Sequence, residues 1–130
     1  MQSEGSWRVE DHDELAGLFL AVVAEAAKVD HSALEALWSG FRRSLLLHLE
    51  AEELLLIPSY SAEHPEEAGT LLRDHAYFRS ALDDFEVNLD ARLRHEHLVL
   101  TFVERLNAHA RSENVGLYAW AQGRRRTPAA

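Results

Sequence analysis

Two stretches of the chain share one chemical spacing. His48-Leu-Glu-Ala-Glu52 and His109-Ala-Arg-Ser-Glu113 each set an imidazole and a carboxylate four residues apart. On an α-helix that spacing puts both groups on one face, so each pair can offer a nitrogen and an oxygen to a common centre. His12 and His75 stand at apolar-stripe positions of two further segments. The chain holds eight histidines and no cysteine. Thiol catalysis, disulfides, zinc knuckles and iron–sulfur clusters are therefore excluded. A nitrogen–oxygen donor set without thiolate suits iron, manganese or zinc. His12, His48, Glu52, His75, His109 and Glu113 exceed what a single four-coordinate zinc needs. They suit two ions, with the carboxylates as bridges, the histidines as terminal ligands, and coordination left open for a bridging oxygen or a small ligand.

Four helices are needed to position these side chains, and the sequence reads as four. Leu, Ala, Glu and Arg dominate, alternating β-branched stretches are absent, and proline occurs only at Pro58, Pro65 and Pro128. The first helix is expected from about Asp11 to Lys28, with the stripe His12, Leu15, Phe19, Val22. Ser32, with Glu35 three residues on, reads as a capping box for a second helix reaching about Pro58. Its stripe is Phe41, Leu45, His48, Glu52, Leu55. Ser59 to His64 is expected to be a loop. Pro65 suits the first position of a third helix, which Glu66 and Glu67 favour electrostatically. That helix carries Leu71, His75, Phe78, Leu82 and Phe85. A turn near Asn88 to Arg92 leads to a fourth helix running to about Ala121, with Phe102, Leu106, His109, Glu113 and Leu117 on its stripe and Gly123 ending it. Short connections make sequential helices antiparallel neighbours, so the expected fold is all-α, an antiparallel up-down-up-down four-helix bundle. Residues 1–123 form this one domain, and residues 124–130 a basic flexible C-terminal tail.

Each stripe should face the core, yet each carries histidine there and two carry glutamate. Burying a carboxylate costs several kcal/mol unless it is paired or bound to metal. In an antiparallel pair, residues equidistant from the turn share a level. His12 and the His48–Glu52 pair are equidistant from His31, in the first turn. That pair and His75 centre on Ala62 and Glu63, and His75 and the His109–Glu113 pair on Leu93. All six side chains therefore converge on one slab of the interior.

This pattern resembles the hemerythrin-like (HHE cation-binding) family over about residues 8 to 121. The likeness is carried by His48-Leu-Glu-Ala-Glu52-Glu53 followed by Pro58, and by His109-Ala-Arg-Ser-Glu113 followed by Leu117-Tyr118. Asp11-His12-Asp13-Glu14-Leu15 and Arg73-Asp74-His75 resemble the ligand segments of the first and third helices. The resemblance implies a centre of two non-heme iron ions, bridged by Glu52, Glu113 and an oxo or hydroxo group, with His12, His48, His75 and His109 as terminal ligands. The donor types also admit manganese or zinc. Oxygen-carrying hemerythrins have a second histidine four residues after the third-helix one, where this chain has Arg79. Their last carboxylate is an aspartate five residues after its histidine; here it is Glu113, four after His109. The lost nitrogen weighs against simple reversible oxygen carriage. Arg79 is expected to lie off the seam, paired with an acid.

The remaining residues have plainer roles. His31, His64, His95 and His97 are read as surface residues, and Trp7, Trp38 and Trp120 as closures of the bundle ends. Tyr77 and Tyr118 are read as packing or interface residues, and Glu53 as solvent-facing or supporting a ligand. Ala16, one turn after His12, leaves room for a small ligand or for close helix packing.

Composition narrows the partners. With 13 basic against 22 acidic residues the net charge is −9, which argues against nucleic acid. The longest apolar stretch, Leu18 to Ala24, is too short to span a membrane, and the start of the chain is unlike a signal peptide. A soluble cytoplasmic protein, monomeric or a small homo-oligomer, is expected. Its partner would be a small molecule: oxygen, nitric oxide or hydrogen peroxide. No side chain is an evident substrate-orienting acid or base, which favours binding, sensing or scavenging over elaborate catalysis. Alternatives are a catalase-like or oxidase activity at the same centre, an iron store, and a metal-free helical interaction module.

Overall fold

The computed structural model describes residues 9–126, which are helical nearly throughout and contain no strand. Four long helices dominate: α1 (Val9–Ala26), α2 (Leu34–Leu55), α4 (Pro65–Val87) and α6 (Glu96–Glu113). Two short ones, α3 (Ile57–Glu63) and α5 (Leu89–Leu93), sit in the connections. After α6 the chain passes through a π-helical turn, Asn114–Tyr118, into α7 (Ala119–Arg126). Helix α1 packs on α2 and α6, and α4 packs on the same two, so the four long helices close a ring around the interior.

The stripes fill that ring in layers. At one end Phe19, Phe41, Phe78, Phe85 and Phe102 pack with Trp38 and the leucines Leu45, Leu49 and Leu82. Phe102 is the hub, touching Phe19, Phe41, Phe78 and Phe85, with its ring centroid 4.7 Å from that of Phe19. Tilted and edge-on contacts of this kind suit the charge distribution of aromatic rings. At the other end Leu56, Ile57, Tyr60, Ala68, Leu71, Leu117 and Tyr118 form a second apolar cluster. Along α2, α4 and α6, the seam histidines and glutamates fall between residues of the two clusters. A polar layer is thus enclosed by apolar ones.

Local details differ from the sequence expectations for identifiable reasons. The Ser32–Glu35 capping box does not form; Ala33 occupies the cap position, with no side-chain cap of its own. Instead the Ala33 N–H donates to Glu25 Oε2 from the end of α1 at 3.2 Å, and Lys28 pairs with the other Glu25 oxygen. The segment expected as a loop, Ser59 to His64, lies mostly within α3. Pro58 fits its first turn, and Ile57 and Tyr60 are buried. Helix α4 begins at Pro65, as its fixed φ favours. Gly123 does not stop the last helix: Arg124 stacks over Trp120 and pairs with Glu63 at 2.6 Å, and α7 runs on to Arg126. Trp38 is buried in the aromatic end, its indole N–H donating to Glu86. Trp7 and residues 127–130 lie outside the described residues.

Candidate metal centre

Helix α1 supplies His12, α2 supplies His48 and Glu52, α4 supplies His75, and α6 supplies His109 and Glu113. All six meet in the polar layer. Glu52, His75 and Glu113 have no solvent exposure, and His12 and His109 only 8% and 6%. The atoms fall into two overlapping groups that could each hold an ion: His12, His48, Glu52 and Glu113, and Glu52, His75, His109 and Glu113. The carboxylates belong to both because each divides its oxygens. Glu113 Oε1 lies 2.8 Å from His12 Nε2, while its Oε2 lies 3.0 Å from His109 Nε2 and 3.4 Å from His75 Nε2. Glu52 Oε2 lies 2.8 Å from His48 Nε2, and its Oε1 3.1 Å from His75 Nε2.

The outer ring nitrogens are held in turn. His109 Nδ1 lies 2.9 Å from Asp74, and His75 Nδ1 2.7 Å from Glu53. An ionised carboxylate only accepts, so Nδ1 is the donor in both rings. His12 Nδ1 likewise donates to Asn114 Oδ1 at 2.9 Å. These bonds orient Nε2 toward the centre, the arrangement that raises a ligating imidazole's donor strength. Arg79 grips Glu53 through two bonds of 2.7 and 3.0 Å, so the expected pairing with an acid is present. That acid is Glu53, which also supports a seam histidine.

Tyr118 packs in the second apolar cluster, as expected, but its hydroxyl does more than pack. Its hydroxyl donates to Glu52 Oε2 at 2.7 Å and lies 2.9 Å from His48 Nε2. Its ring stacks on His12 with centroids 4.8 Å apart. Sequence reasoning also assigned no role to Asn114. Both belong to the π-turn. At the α-helical period Tyr118 would stand about 140° around the helix from Glu113; the wider i→i+5 turn brings it onto the same side. Asp74 was legible only as the neighbour of His75.

Opposed charges dominate the electrostatics. Burial opposes a proton on His75, but Glu113, Glu52 and Glu53 outweigh it and push its pKa up to about 10. His48 and His109 are raised in the same way, against their burial, by Glu52 and Glu113 respectively. Glu113 resists its own desolvation and is held well below the ordinary carboxylate range by His109, His12 and His75. Burial, then Glu52 and Glu113, raise the Tyr118 phenol far above its usual value.

Cations fit this cluster. Glu52 Oε1 and His109 Nε2 are buried and, although each has an oppositely charged neighbour within 3.1 Å, neither makes a well-directed hydrogen bond, whereas such atoms are ordinarily satisfied. The donors are all nitrogen and oxygen, and the two carboxylates supply the charge that cations would balance. On the aromatic side a cavity of about 50 Å³ is lined by His12, Ala16, Leu45, His48, Leu106 and His109. Ala16 therefore does border open space beside the histidines.

A helical protein that encloses four imidazoles and two shared carboxylates between apolar layers is built as a cation-binding domain. The family model for the hemerythrin HHE cation-binding domain matches residues 8–121, and the chain belongs to that family. No curated protein and no solved structure gives a match.

Proposed function

We propose that the chain is a non-heme di-iron protein that binds or senses a small ligand: oxygen, nitric oxide or peroxide. Its long helices are read as an antiparallel up-down-up-down bundle. His12 and His48 would hold one ion, His75 and His109 the other, and Glu52 and Glu113 would bridge them. The observation that carries this reading is the division of each carboxylate between the two histidine groups. When bound, the ions would balance the buried carboxylates and offer open coordination positions to a small ligand.

The chain's own residues prepare the site. Glu53 and Asp74 fix the rings of His75 and His109, and Asn114 fixes that of His12. Apolar layers flank the polar layer on both sides. The cavity beside His12 and His48 has room for one small molecule, and Ala16 keeps it open. We read the protein as cytoplasmic and its ligand as a freely diffusing small molecule; no helix among the described residues is long and apolar enough to cross a membrane.

Metal analysis with a visible and near-ultraviolet spectrum of iron-supplemented protein purified under air tests the proposal. Two irons per chain, with the charge-transfer absorption of a bridged ferric pair, are expected. Less than one metal ion per chain would overturn it. Rapid peroxide consumption by the loaded protein, lost in His48→Ala, would mark turnover in place of binding.

A further inference from the structure

The π-turn places Tyr118 where packing alone would not need a hydroxyl. The ring is 1% exposed, in the apolar cluster of Leu117 and Tyr60, yet its oxygen reaches into the polar layer to Glu52 Oε2 and His48 Nε2. Both are candidate ligand atoms of the same ion, in the group of His12, His48, Glu52 and Glu113. The ring also lies parallel to that of His12, at an interplanar angle of 12°. Three of the four residues of that group thus touch one side chain.

The turn beneath is seated for this purpose. Gly116 faces Tyr60, whose hydroxyl would stand 3.0 Å from an added Cβ. A Cβ at Gly116 would oblige the buried Tyr60 hydroxyl or the turn itself to give by a few tenths of an ångström. Tyr118 stands on the side of the His12–His48 group toward α3 and α7, whereas the cavity of about 50 Å³ lies on the aromatic side. One side is held and the other is open.

We infer that Tyr118 is a positioning residue for the metal pair: its hydrogen bond to Glu52 Oε2 sets the orientation and donor strength of that carboxylate toward the ion of the His12–His48 group. This inference rests on the metal reading proposed above. A bond donated to a ligating carboxylate withdraws electron density from it and fixes its rotamer. Such outer contacts change metal affinity by about 10- to 100-fold and shift redox potential. Without the hydroxyl, Glu52 donates more strongly but is less well oriented. The oxidised pair is then favoured, and one ion is held less firmly.

The test compares iron-loaded wild type with Tyr118→Phe, which keeps the ring. Wild type should hold two irons. Tyr118→Phe should show a lower reduction potential by spectroelectrochemistry, and release one of its two irons to a chelator about tenfold faster or more. Gly116→Ala, which keeps the hydroxyl but crowds the turn, should move both readouts in the same direction by less. If Tyr118→Phe does not fold, Gly116→Ala decides by the same two readouts. An unchanged potential and unchanged release in the variants overturn the assignment, even if melting temperature falls, because a packing role would move only the melting temperature. Wild type without iron overturns the metal reading and the role of Tyr118 with it; that failure shows in wild type alone.

Discussion

The two histidine groups share Glu52 and Glu113 but are supported differently. Around His75 and His109 the outer contacts are carboxylates, Glu53 and Asp74, and the first is itself gripped by Arg79. Around His12 the outer contact is the neutral amide of Asn114, and Tyr118 bonds Glu52 and His48 from the same π-turn. The first group draws its support from side chains of straight α-helix, α2 and α4. The second draws the contacts of Asn114 and Tyr118 from an irregular segment, while the charge of Asp11 on α1 also acts on His48. A negative charge behind an imidazole strengthens it as a donor, whereas an amide mainly orients it. A pair of similar ligand sets can therefore be made unequal by residues that touch no ion.

The largest effect should come from what the two groups share. Glu52→Gln keeps the shape but removes the charge that faces both, and should drop the metal content to one ion per chain or fewer by elemental analysis. Retention of two ions would remove the bridging role. Chelation of wild type comes next. A site built from core side chains couples binding to folding. If the residual free metal is a hundredth of Kd or less, while the loaded protein stands at about 100 Kd, the melting temperature should fall by roughly 10 °C, read by circular dichroism.

Asp74→Asn then separates the groups. It keeps an acceptor for His109 but removes the charge, and should weaken one of two binding steps about tenfold or more in a calorimetric metal titration while sparing the other. Equal weakening of both steps would show that the groups do not act separately. Arg79→Gln should have the smallest effect, a few-fold at most on the same step. It is part-exposed, and its hydrogen bonds go to Glu53. Glu53 is held below its ordinary carboxylate value despite burial by Arg79 and His75, and His75 remains in the variant.

Much of this centre is legible in the chain. The 3.6-residue period puts His48 with Glu52, and His109 with Glu113, on single faces. The improbability of burying six polar side chains without a common partner brings them together. Proline signals place the start of α4. These inferences are local or depend only on distance from a turn, so a single sequence carries them. The missed features are those in which one segment answers another. Glu25 supplies the cap contact that Ser32 does not, and the stretch after Pro58 coils into α3 because Ile57 and Tyr60 find an apolar face. Which carboxylate oxygen turns to which histidine depends on rotamers chosen by all four helices at once. The π-turn belongs to the same class: nothing in the spacing of Asn114 and Tyr118 announces an i→i+5 turn. At the ordinary period both residues leave the seam, and only the packing of the π-turn and α7 against α3 and the polar layer turns them inward.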